Sequence, residues 1–211
     1  AGFTLASHDL DIRGAGNLLG DEQSGHIREV GIELYQQMLE DAVAEMRAER
    51  GRRRVEHDWT PNITLGLPVL IPEEYVRDLP VRLGLYRRIG GLASDAETEA
   101  MAAELVDRFG ALPAEVENLL QVMSLKRQCR EVGVEKLEAG PKGMVLSFRG
   151  NAFGNPAGLI AWLAGRKGPT IRLRPDHKLA VIQEMDVGTR LKVAQDLLGN
   201  LGRLAQQARA A

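Results

Sequence analysis

The spacing of apolar positions changes along the chain, and each change predicts an element. From His26, residues Ile27, Val30, Leu34, Met38, Val43 and Met46 recur near helical spacing while Glu33, Glu40, Asp41 and Glu45 face elsewhere, which predicts a helix over His26–Glu49. That pattern ends at Glu49-Arg50-Gly51. Ile63, Leu65 and Leu67 then alternate between Pro61 and Pro68, as in a strand. Pro72 with Glu73 and Glu74 suits a first helical turn, where no N–H is needed and carboxylates favour the helix dipole. Pro80 marks a break or kink, after which Val81–Ile89 continues as helix. Ser94 and Glu97 have the spacing of a capping box, opening a helix that carries Met101, Leu105 and Val106 and stops at Gly110. Pro113 starts the next, with Val116, Leu119, Leu120 and Met123 on one face, ending at Gly133.

The period then shortens. Val134–Ala139 and Met144–Arg149 flank the turn Gly140-Pro141-Lys142-Gly143, with Met144, Leu146 and Phe148 sharing one face. Asn155-Pro156 starts a short helix through Leu159, Ile160 and Leu163. Ile171 and Leu173 alternate with Arg172 and Arg174, and Pro175-Asp176-His177-Lys178 turns the chain into Leu179–Ile182 as a second hairpin. Asp186 or Thr189 caps a last helix whose buried stripe is Leu191, Ala194, Leu198, Leu201 and Leu204/Ala205. Helices, then two hairpins with a helix between them and one after, predict an α+β fold. Three segments are expected: a motif loop and helix over residues 1–50, a linker over 51–60, and a compact domain over 61–211. In that domain several helices pack with a small, mainly antiparallel sheet.

Composition narrows the chemistry. Aromatic residues make up 4% of the 211, so the core is aliphatic and single-strand binding by base stacking is disfavoured. A formal charge of −2 provides no global field for nucleic acid. Charge is nonetheless uneven: residues 1–60 hold 12 acidic and 7 basic side chains, the remainder 17 and 20. Arg52-Arg53-Arg54 reads as part of a solvated linker, because arginine is the habitual cation here. Cys129 is a lone cysteine in a helical pattern and is expected to be a small core residue in a reducing, cytoplasmic setting. The scattered histidines do not have metal-ligand spacing, and there is no signal peptide and no apolar run long enough to span a membrane. The opening at Ala1, mid-pattern, is what a piece cut from something larger would show.

One stretch concentrates chemistry. Asp9–Gly25, DLDIRGAGNLLGDEQSG, sets Arg13 beside Gly14-Ala15-Gly16 and ends in a polar cluster containing Gln23. Dense glycine permits unusual backbone turns, and a guanidinium offers a rigid fork of donors for phosphate or carboxylate. On these residues alone, the favoured reading is a glycine-rich connector with a surface arginine. The spacing Gly14-x-Gly16-x-x-x-Gly20 is wrong for a dinucleotide fingerprint. The sequence also has no glycine loop ending in lysine and a hydroxyl residue, so no ATPase activity is expected from this chain alone.

The same stretch resembles the translocation motif shared by RecG-type branch-migrating helicases and transcription-repair coupling factors. The blocks IPEEYVRDLPVRLGLYRRI, ELVDRFGALP and NPAGLIAWL are similar to the coupling factors specifically, in order and over nearly the whole chain. That resemblance implies a remnant of a second helicase lobe (superfamily 2) followed by a terminal regulatory domain. Arg13 and Gln23, with Gly14 and Gly16, would couple ATP hydrolysis to movement on double-stranded DNA. ATP and magnesium would be bound elsewhere in the parent protein. Glu104 and Asp107 would clasp the amino-terminal UvrB-like module, covering the surface that recruits UvrA until RNA polymerase and DNA are engaged. Residues three apart share a helix face, so both carboxylates could meet arginines on one surface. On residues alone the favoured reading is solvated helix charges, one pairing with Arg108. A fragment of a RecG-like helicase is the alternative.

Overall fold

The computed structural model describes residues 59–211. The motif around Arg13, the helix expected over His26–Glu49 and most of the linker lie outside them. The described chain divides into two compact units, one of residues 67–123 and one of residues 59–66 and 124–211.

In the first unit an extended run buries Leu67, Val69 and Ile71 in alternation. Here one expectation is corrected. Pro72 opens a single turn, its carbonyl accepting from the Tyr75 and Val76 amides, and not a continuing helix. Helix α1 (Leu79–Gly90) begins afresh, because Asp78 caps it through the Val81 amide and Pro80 sits in its first turn. Pro80 therefore starts a helix, where its missing N–H is harmless. Ser94 caps α2 (Asp95–Phe109) through the Glu97 amide, and the Glu97 carboxylate reaches back to the Ala93 amide at 2.6 Å. The capping box is thus formed, closing one residue earlier than its usual partner. Met101 and Leu105 are buried, but Val106 is 48% exposed. Helix α3 (Ala114–Val132) follows, with Val116, Leu119, Leu120 and Met123 buried. The Tyr86 hydroxyl accepts from the Ile71 amide at 2.7 Å and Asn118 donates to the Pro68 carbonyl at 3.1 Å, tying the extended run to α1 and α3.

The second unit contains a five-stranded sheet in the order β1-β2-β3-β5-β4. The strands are β1 (Asn62–Thr64), β2 (Val134–Gly140), β3 (Gly143–Phe148), β4 (Thr170–Leu173) and β5 (Leu179–Ile182). β1 runs parallel to β2 and every other pairing is antiparallel, so the expected α+β fold with a mainly antiparallel sheet is what forms. The register sets Ile63, Leu137, Leu146, Leu179 and Leu173 in one row across all five strands. All are buried except Leu173, which is 43% exposed at the free edge. Helix α4 (Pro156–Gly165) is capped by Asn155, whose Oδ1 accepts from the Gly158 amide and whose Nδ2 donates to the Leu204 carbonyl at 2.8 Å. Leu159 is buried on it, whereas Ile160 is 59% exposed. Asp186 caps α5 (Val187–Ala210), and Leu191, Ala194, Leu198, Leu201 and Leu204 form its buried stripe. Arg190 is buried on α5 too and donates to the Leu65 carbonyl at 2.9 Å, fixing the chain where Gly66 turns with φ +68°.

Candidate functional site

The two carboxylates expected to form the clasp lie toward the carboxyl-terminal end of α2. Asp95 and Glu97 occupy its first turn and Arg108 its last, each the sign that the helix dipole favours. Glu104 is held from two sides. Arg88 of α1 grips it with two hydrogen bonds, Nη1 to Oε2 at 2.5 Å and Nη2 to Oε1 at 2.7 Å. Arg108, four residues along α2, adds a third to Oε2 at 3.1 Å. Hydrogen bonding from Arg88, and then from Arg108, holds the Glu104 carboxyl down at about 2 despite some desolvation. A carboxylate offers about four acceptor positions. Arg88 and Arg108 fill both positions of Oε2 and one of Oε1, leaving a single-point contact for any incoming donor.

Asp107 differs. It is exposed, on the same helix end, and makes no ion pair or hydrogen bond among the described residues, so its fork of acceptors is fully open. Val106 beside it is exposed, an apolar group at the same helix end.

The backbone that presents these groups is braced locally. The Tyr75 hydroxyl lies 3.0 Å from the Leu105 carbonyl and 2.8 Å from the Gly110 carbonyl, sharing its one proton between them. Its ring meets Phe109 at a centroid distance of 5.7 Å, tilted by 57°. The Arg108 guanidinium stands 4.8 Å over the Phe109 ring, and Gly110, at φ +91°, ends the helix in a conformation few side chains tolerate. Desolvation raises the Tyr75 phenol above its ordinary value, which keeps it a donor.

Of the residues expected to carry function, Glu104 and Asp107 share one helix end but not one set of partners. Arg13, Gly14, Gly16 and Gln23 lie outside the described residues. Arg88 and Tyr75 were missed by sequence reasoning, because both reach the site from other elements; a second arginine beside Arg87 in the YRRIG block was the one available signal. Cys129 is fully buried, as expected, and burial pushes its thiol up to about 12. Among the described residues no His, Cys, Asp and Glu side chains cluster to hold a metal ion, and no helix is long and apolar enough to cross a membrane.

The architecture is that of a coupling-factor C-terminal domain. It overlays a crystal structure of the C-terminal domain of transcription-repair coupling factor with a TM-score of 0.56, at 18% identity, over 71% of this chain and 94% of that one. Residues 65–159 match the TRCF domain. The transcription-repair-coupling factor of Rickettsia bellii is 44% identical over 97% of the chain, and that of Escherichia coli is 40% identical over 93%. The chain belongs to the transcription-repair coupling factor family. It spans 18% of the Rickettsia protein and 16% of the Escherichia coli one.

Proposed function

We propose that this chain is the regulatory end of an ATP-dependent double-stranded DNA translocase that displaces stalled RNA polymerase and recruits nucleotide excision repair. Its own part is autoinhibition: the end of α2 docks on the amino-terminal UvrB-like module and covers the surface that receives UvrA. The observation that carries this reading is the similarity to coupling factors along almost the entire chain. The RecG-like alternative is not favoured, because the TRCF domain match falls on the blocks that distinguish coupling factors.

The engaged acceptors of Glu104 and the open ones of Asp107 support a division of labour between the two carboxylates. Asp107 is the open acceptor that meets an arginine of the docked module, and Glu104 is the brace that holds α1 to α2 beneath it. Arg13 and Gln23 act upstream, coupling hydrolysis of magnesium-bound ATP to movement on DNA. The test uses a full-length coupling factor carrying this segment. A desolvated interface pair is worth about 1.5 kcal/mol or more, so Asp107→Ala raises UvrA affinity by about tenfold. Glu104→Ala changes UvrA affinity less and lowers the melting temperature. Arg13→Ala retains ATP binding and fails to displace stalled polymerase. Equal UvrA affinity for Asp107→Ala and the parent protein sinks the docking assignment.

A further inference from the structure

At the far edge of the sheet, β4 is paired on one side only. The Arg174 amide donates to the Lys178 carbonyl at 2.8 Å, and the same register pairs Arg172 with Ala180 and Thr170 with Ile182. Hydrogen-bonded pairs alternate along an antiparallel ladder, so the backbone groups of Arg172 and Thr170 turn toward β5. Those of Ile171 and Leu173 therefore turn outward, to an edge that carries no strand among the described residues. A second feature coincides with this one. The cross-strand apolar row ends at Leu173, 43% exposed, so the row is one residue short of being covered. On the opposite face of the sheet, Ile182, opposite Thr170, is 53% exposed.

The charge here is of one sign. Residues 166–178 hold Arg166, Lys167, Arg172, Arg174 and Lys178 against a single carboxylate, Asp176, which pairs with Arg174 at 3.0 Å. Arg166 is engaged with Trp162, at 5.0 Å from its ring, and with the Pro169 carbonyl. Lys167, Arg172 and Lys178 have no carboxylate partner among the described residues.

We propose that β4 accepts an extended, acidic protein segment as a sixth strand. Apolar residues of that segment cover Ile171 and Leu173, and its alternate carboxylates face Arg172 on the other side of the sheet. Strand addition takes affinity from main-chain hydrogen bonds and specificity from alternate side chains. Basic residues and flanking prolines such as Pro169 and Pro175 discourage indiscriminate edge pairing. The same features select an acidic partner over a neutral one, and they limit the added ladder to the short β4.

The probe is a fluorescein-labelled peptide of about eight residues alternating glutamate and valine, titrated into the full chain. Binding is expected, with Ile171 and Leu173 amides gaining protection from hydrogen exchange. Lys167→Glu with Arg172→Glu, at unchanged melting temperature, weakens it by about tenfold or more. Methylating the peptide's edge-facing amides, which keeps its charge and removes its strand donors, abolishes it. Binding that survives amide methylation overturns strand addition, as does failure of the unmodified peptide to bind. Tighter binding of a double-stranded oligonucleotide than of the peptide, lost in the same double variant, assigns the surface to phosphate and overturns the proposal too.

Discussion

Replacing Tyr75 by phenylalanine removes one oxygen and leaves the ring in place on Phe109. The hydroxyl has one proton to donate and two carbonyls within reach, at 3.0 and 2.8 Å, so what disappears is one shared hydrogen bond. Such a bond contributes about 1 kcal/mol net. The cost stays near that figure because Leu105 lies inside α2, where its carbonyl keeps a helical partner, and exposed Gly110 can turn its carbonyl to water. For a chain of this size about 1 kcal/mol lowers the melting temperature by about 2–4 °C. Tyr75→Ala also removes the ring contact and should cost distinctly more. Alkaline titration adds a signature. Burial raises the native phenol above its ordinary value, so the folded state holds its proton more tightly than the unfolded one. Stability from this group is complete below the unfolded value near 10 and declines as pH rises through the raised native value. That decline should be absent in Tyr75→Phe. Melting curves of the chain and both variants, taken from neutral pH to above 10, decide the matter. An unchanged midpoint for Tyr75→Phe, or a loss as large as that of Tyr75→Ala, refutes the assignment of the hydroxyl as the clamp on this helix end.

The Glu104 carboxyl is held down at about 2, so its contribution is complete above the unfolded value near 4.3 and falls away as pH drops toward 2. Acid-induced melting of Arg88→Ala should lose most of that component, the Arg108 bond keeping the remainder, while Asp107→Ala retains all of it. At the start of α4, Asn155→Ala loses both cap and tether and should destabilise by about 2 kcal/mol. Asn155→Asp keeps the cap and loses the donor to Leu204, and chemical denaturation should place it between Asn155→Ala and the parent. Cys129, with its thiol near 12 and fully buried, should resist maleimide at pH 8 in the folded chain and react promptly in denaturant. Fast labelling under native conditions would remove it from the core.

Both hairpins, the capping residues Ser94 and Asn155, and the buried stripes of α3 and α5 were legible because each rests on a local signal. Those signals are the strict alternation in Met144–Phe148, a polar residue before a helical run, and a glycine after it. Val106 and Ile160 are apolar and so read, in the sequence, like their buried neighbours. One residue past Leu105 or Leu159 is a rotation of about 100°, which carries the side chain off the buried face. The Pro72 turn failed to extend because Asp78 offered a better start three residues after Tyr75. Long-range pairings left no local trace. Parallel β1–β2 pairing, Arg190 reaching back to Leu65, and the Arg88 grip on Glu104 each join residues far apart in sequence.

The path of the chain has a consequence for synthesis. β1 is made before its partner Lys136–Glu138 in β2, which emerges only after the whole of residues 67–123. At about 5–20 residues per second, β1 waits for several seconds with Ile63 uncovered while the segment behind it is free to fold. The helical unit is thus able to fold as an insert during synthesis, with β1 pairing only once β2 has been made. A ribosome that pauses within α3 would prolong the life of that open strand.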